Sequence, residues 1–93
     1  MVGLLAGANR DPRVFPQPER FDVARENARD HVSFSAGRHY CLGAALARLE
    51  GQVVFSRLAE RYPNLRLGVD PADVEYREHF VLRGLKALPV VLG

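Results

Sequence analysis

A single cysteine, Cys41, closes a glycine-punctuated stretch, Phe34-Ser35-Ala36-Gly37-Arg38-His39-Tyr40-Cys41-Leu42-Gly43, and a run rich in alanine and leucine follows it. A lone thiol where a helix opens is placed to ionise, because first-turn N–H groups and the positive end of the helix dipole stabilise an anion. A thiolate serves as a metal ligand or as a nucleophile. For nucleophilic or redox work there is no Cys-x-x-Cys, and no acidic residue sits at a recognisable spacing to orient His39. For zinc, His31, His39 and Cys41 give His-x7-His-x-Cys, which matches no zinc template and brings no evident fourth ligand. The plain alternative is a buried structural thiol, since free cysteine often behaves as a small hydrophobe.

The elements that must hold this stretch read as follows. Met1 to Ala8 is short and apolar, the end of a strand leading into a turn. Asn9 to Pro18 carries three prolines and is irregular or a single helical turn. Phe21 to Asp30 is polar loop, and His31 to Tyr40 leads to the cysteine. Leu42 to Arg61 is the one long helix. Leu42, Leu46, Leu49 and Val53 line one apolar face, Arg57 and Arg61 complement the dipole in the last turns, and Pro63 ends it. Leu65 to Leu67 is a short strand, Asp70-Pro71 a turn, and Phe80 to Leu82 and Leu88 to Leu92 are β-rich runs interrupted by Gly84 and Pro89. The fold class is α+β, with one helix carrying the site.

Composition bounds the rest. Ninety-three residues, 47% hydrophobic and 26% charged, suit one small globular body. At that size only about 60–65% of the unfolded surface is buried, so stability is marginal without a cofactor or partner. A net charge of +2 is too mild to argue for nucleic acid. No apolar run is long enough to span a bilayer, and Val2-Gly3-Leu4-Leu5-Ala6 is too short for a secretory signal and lacks a basic start. One cysteine excludes an internal disulfide and fits a reducing cytoplasm.

The spacing Phe-x-x-Gly-x-x-x-Cys-x-Gly resembles the haem-binding loop of the cytochrome P-450 superfamily, whose cysteine thiolate is the proximal ligand of haem iron. Asn9-Arg10-Asp11-Pro12, Phe15-Pro16 and Pro18-Glu19-Arg20-Phe21-Asp22 look like the meander of bacterial members. Leu42 to Glu50 looks like the helix after the cysteine, and Leu82 to Val90 like the closing strands. The blocks stand in family order, so the resemblance covers nearly the whole chain. It implies the C-terminal part of a mainly α fold, a single partial domain over 1–93. Its parts are a strand end and meander (1–30), the haem-cysteine loop (31–43), the long proximal helix (42–61) and a C-terminal β segment (65–93).

By the same resemblance Cys41 is the axial ligand of haem b. Phe34 shields the sulfur, Gly37 supplies a positive-φ turn and His39 meets a propionate. Leu42 joins the cofactor contacts, Gly43 keeps a side chain off the porphyrin face, and backbone N–H groups after Cys41 bond the sulfur. The implied activity is that of a haem-thiolate monooxygenase hydroxylating a small apolar organic substrate. Electrons come from NAD(P)H through a ferredoxin and ferredoxin reductase. Arg29, Arg38 and Arg48 flank the loop and would steer such an acidic donor, or simply face water. Val81 and Leu82 resemble the strand tip that lines the substrate pocket, or pack a core. No acid or base in the segment matches a catalytic role. The distal oxygen helix and the Glu-x-x-Arg helix belong upstream of these residues. Glu26-Asn27-Ala28-Arg29 spells that pattern by coincidence within the meander, and Arg20 resembles the arginine that completes a triad with it. The expectation is thus a C-terminal piece: a split protein, a misplaced start or a truncated gene. The alternative reading is a non-catalytic remnant or haem-binding interaction module.

Overall fold

The computed structural model describes residues 2–93. The chain divides into two compact units, one reaching Ala47 and the other running from Arg48 to Gly93.

Of the expected strand end over 1–8, Met1 lies outside the described residues and no strand forms over 2–8, where Leu5–Ala8 is instead a short helix, α1. The Ala8 N–H donates to the Leu4 carbonyl and the Asn9 N–H to that of Leu5, both at 3.0 Å. Leucine and alanine favour helix, and Leu5 to Ala8 offers no β-branched side chain to a strand. From Asn9 to Asp30 the backbone turns repeatedly, and side chains supply the hydrogen bonds that regular structure would otherwise give. The Arg25 guanidinium donates to the carbonyls of Pro16 (2.7 Å), Gln17 (3.1 Å) and Arg20 (3.3 Å). The Asn27 carboxamide donates to the Val14 carbonyl (2.6 Å). These ties surround Phe15, which with Ala44 makes up the buried hydrophobic set among the described residues.

The long helix, α2, spans Ala44–Arg61. Leu42 and Gly43 lie in a turn before it, closed by the Ala44 N–H on the Cys41 carbonyl (3.3 Å). Its end is marked by the Tyr62 N–H on the Leu58 carbonyl (2.8 Å), one residue before Pro63, whose ring cannot continue the ladder. Leu46, Leu49, Val53, Val54 and Phe55 are each at least half exposed along it.

The second unit contains β1 (Arg66–Leu67) paired antiparallel with β2 (Val90–Val91), Arg66 opposite Val91 and Leu67 opposite Val90. The Gly68 N–H extends the pairing to the Pro89 carbonyl (2.8 Å). A Cβ at Gly68 would stand 3.3 Å from that carbonyl group, so glycine permits the close approach. Asp70 caps the 3₁₀ turn Pro71–Asp73 by accepting from the Ala72 N–H (2.9 Å). A bridge joins Tyr76 and Leu85, with Arg83 stacked 3.9 Å over the Tyr76 ring and Lys86 paired with Glu75 (2.6 Å). Phe80 to Leu82, expected as a β-run, is instead bent. The His79 Nδ1 accepts from the N–H groups of Val81 (3.2 Å) and Leu82 (3.0 Å), which a ladder would otherwise use. No helix among the described residues is long and apolar enough to cross a membrane.

Candidate functional site

Cys41 is exposed and unpaired by any disulfide. Its backbone is fixed from both directions: its N–H donates to the Phe34 carbonyl (2.9 Å), and its carbonyl accepts from Ala44. The eight-residue span from Phe34 to Cys41 is therefore a closed loop. Inside it, Gly37 has φ +74° and opens the 3₁₀ turn Gly37–His39, which the Tyr40 N–H closes on the Gly37 carbonyl (3.2 Å). A side chain at Gly37 would meet no atom, so the glycine answers the backbone conformation alone. Ser35 also sits in the left-handed region, at φ 65°, without that freedom.

Phe34 anchors an aromatic cluster. Its ring lies edge-on to Tyr40 (centroids 6.3 Å apart) and to His31 (6.0 Å). It is half-buried, whereas His39, on the 3₁₀ turn, is exposed. Leu42 is fully exposed beside the cysteine. At Gly43 a Cβ would lie 3.8 Å from the Cys41 sulfur, an ordinary contact. The glycine therefore relieves no clash within the chain; what it leaves clear is the face next to the sulfur. Of the backbone N–H groups after Cys41, that of Ala44 goes to the Cys41 carbonyl.

A tetrahedral metal ion needs several side chains converging, and no three His, Cys, Asp or Glu residues do so among those described. Haem brings four ring nitrogens of its own and asks the protein for a single axial atom. One exposed sulfur, bordered by an exposed leucine and a glycine that projects nothing beside it, fits that demand.

Arg20 is exposed, pairs at 4.0 Å with Asp22, and lines one cavity with Asn9 and His31. Asn9, read from the sequence only as part of the meander block, is tied to this loop by its side chain. Its side chain reaches Val32 and Ser33, at the entry to the cysteine loop, across more than twenty residues of sequence.

The cytochrome P-450 family model matches residues 2–88. The chain is 52% identical over 85 residues to the 6-deoxyerythronolide B hydroxylase of Saccharopolyspora erythraea, covering 91% of this chain and 21% of that protein. It is 48% identical over 89 residues to the polyketide biosynthesis cytochrome P-450 PksS of Bacillus subtilis, covering 96% of this chain and 22% of that protein. Among solved structures, the tirandamycin C-bound P-450 monooxygenase TamI superposes with a TM-score of 0.88 at 50% identity, over 96% of this chain and 22% of that one. The chain spans about a fifth of the length of the curated relatives it matches. With nearly all of its residues inside the family model, this chain belongs to the cytochrome P-450 family.

Proposed function

We propose that the chain is the haem-binding, C-terminal segment of a bacterial-type monooxygenase, with the Cys41 thiolate as the axial ligand of haem iron. The observation that carries this reading is the single exposed sulfur on a hydrogen-bonded loop in a member of the family. When bound, haem supplies the oxygen-activating chemistry, for which a thiolate ligand favours O–O cleavage. Cys41 would hold the iron from its side of the ring. Phe34 would keep water from the sulfur, and the N–H groups of Leu42 and Gly43 would donate to it. His39, exposed two residues before the ligand, would meet a propionate. Leu42 would pack on the ring, and Gly43 would leave the sulfur's face open.

Electrons would come from NAD(P)H through a ferredoxin-type donor drawn to Arg29 and Arg38, in the cytoplasm. The substrate would be a small organic molecule hydroxylated at carbon. One relative is named for polyketide biosynthesis, which makes a polyketide-derived substrate the first to try. Oxidation would also require the distal part of the fold. The scarcity of buried side chains favours one second reading, a haem-binding module without turnover of its own.

Alkylation of the lone thiol tests the ligand directly. Added haem is expected to slow reaction of Cys41 with iodoacetamide. A rate unchanged by saturating haem would contradict ligation and favour a free reactive cysteine.

A further inference from the structure

We infer that Asn9 is a positioning residue for the cysteine loop, its carboxamide pinning the loop's entry at Val32 and Ser33 and so fixing the backbone that carries Cys41. The functional sense of this role rests on Cys41 being the haem ligand; its geometry does not.

The carboxamide oxygen of Asn9 accepts from the Val32 N–H (2.8 Å), and its nitrogen donates to the Ser33 hydroxyl (2.9 Å). Asn9 is half-buried, and its own N–H is tied to the Leu5 carbonyl at the end of α1 (3.0 Å). From Val32 the connection continues through the backbone. The Val32 carbonyl accepts from Ser35 (2.9 Å), closing the turn in which Ser35 is left-handed. The next carbonyl but one, that of Phe34, accepts from Cys41 (2.9 Å). On the other side the Ser33 N–H donates to the His31 Nδ1 (3.2 Å), and the His31 ring meets that of Phe34. A carboxamide presents an acceptor and a donor side by side, which suits an N–H and a hydroxyl on successive residues. A loop holding an axial ligand must keep its sulfur within a fraction of an ångström of the productive position, and that requires support from beyond the ligand itself. Asn9 gives that support from a distant part of the sequence, where no spacing rule relates it to the cysteine.

Amide hydrogen exchange on the full chain tests this without haem. Asn9→Leu keeps the branching at Cγ and removes both polar groups. Asn9→Asp keeps two oxygens, which can accept from the Val32 N–H and the Ser33 hydroxyl. In Asn9→Leu, exchange at Val32, Ser35 and Cys41 is expected to accelerate about tenfold. The Gly68 and Lys86 amides, bonded to Pro89 and Glu75 in the other unit, should keep their rates. Asn9→Asp should restore protection at Val32 and Cys41. Unchanged exchange at Cys41 in Asn9→Leu, or acceleration equally at Gly68 and Lys86, would overturn the positioning role. Haem binding is then read separately by absorbance. Failure of wild type to ligate haem through sulfur overturns the proposed function, whereas failure of the exchange pattern overturns the role of Asn9.

Discussion

Gly37 and Ser35 both hold left-handed backbone, yet only one is a residue suited to it. Gly37→Ala should destabilise the chain by about 1 kcal/mol through backbone strain alone, since no atom crowds the new methyl. Ser35→Gly should act in the opposite direction and by less, because glycine's freedom in the unfolded chain offsets part of the relief. Midpoints of urea unfolding would read both. Asp11 offers a pH test. Its carboxylate accepts from the Arg13 side chain at 2.7–3.2 Å and from the Arg13 N–H at 2.9 Å, and these bonds hold its pKa down to about 2 from the usual 3.8. A depressed carboxyl stabilises the folded state above its unfolded pKa and loses that effect as pH falls through the folded one. The stability difference between wild type and Asp11→Asn should therefore be fullest above about pH 4 and close as pH falls towards 2. The need for a positive φ at Gly37 was legible from residue type. The tie from Asn9 to Val32 was not, because a hydrogen bond across 23 residues leaves no local pattern.

Among elements, α2 was the most legible: its apolar spacing, its closing arginines and Pro63 all speak locally. Its start was less so, since Leu42 and Gly43 follow the same apolar pattern while their backbone is spent on the turn around Cys41. Phe80 to Leu82 shows the opposite failure. β-propensity measures fit to a half-buried pleated surface. These side chains are 88%, 73% and 71% exposed, with His79 occupying two of their N–H groups. Gly51 lies inside α2, where an added Cβ would rest 3.8 Å from the Phe55 ring. Gly51→Ala should stabilise the helix by about 0.5–1 kcal/mol, seen as higher helicity by circular dichroism at a fixed urea concentration. A loss of helicity would mean that glycine is needed there for close approach.

The whole chain exposes 8615 Å². Two independent folded bodies of about 5 kDa each would together expose roughly 6,500 Å². Large apolar side chains such as Phe21, Val23, Leu42 and Phe80 are all more than four-fifths exposed. Soluble monomers seldom leave such patches open. In relatives of which this stretch makes about a fifth, further chain is available to cover such faces. The candidate site was legible as a pattern because it is concentrated in ten consecutive residues, 34 to 43, whereas no local pattern specifies what covers the exposed apolar side chains around it. The central claim is that Cys41 ligates haem iron as a thiolate. Its most direct test is the absorption spectrum of the haem-saturated, reduced chain under carbon monoxide, for wild type and Cys41→Ala. A red-shifted thiolate-type Soret band in wild type, lost in Cys41→Ala, is the predicted result. A histidine-type or free-haem spectrum in wild type, or the same band in both proteins, would contradict it.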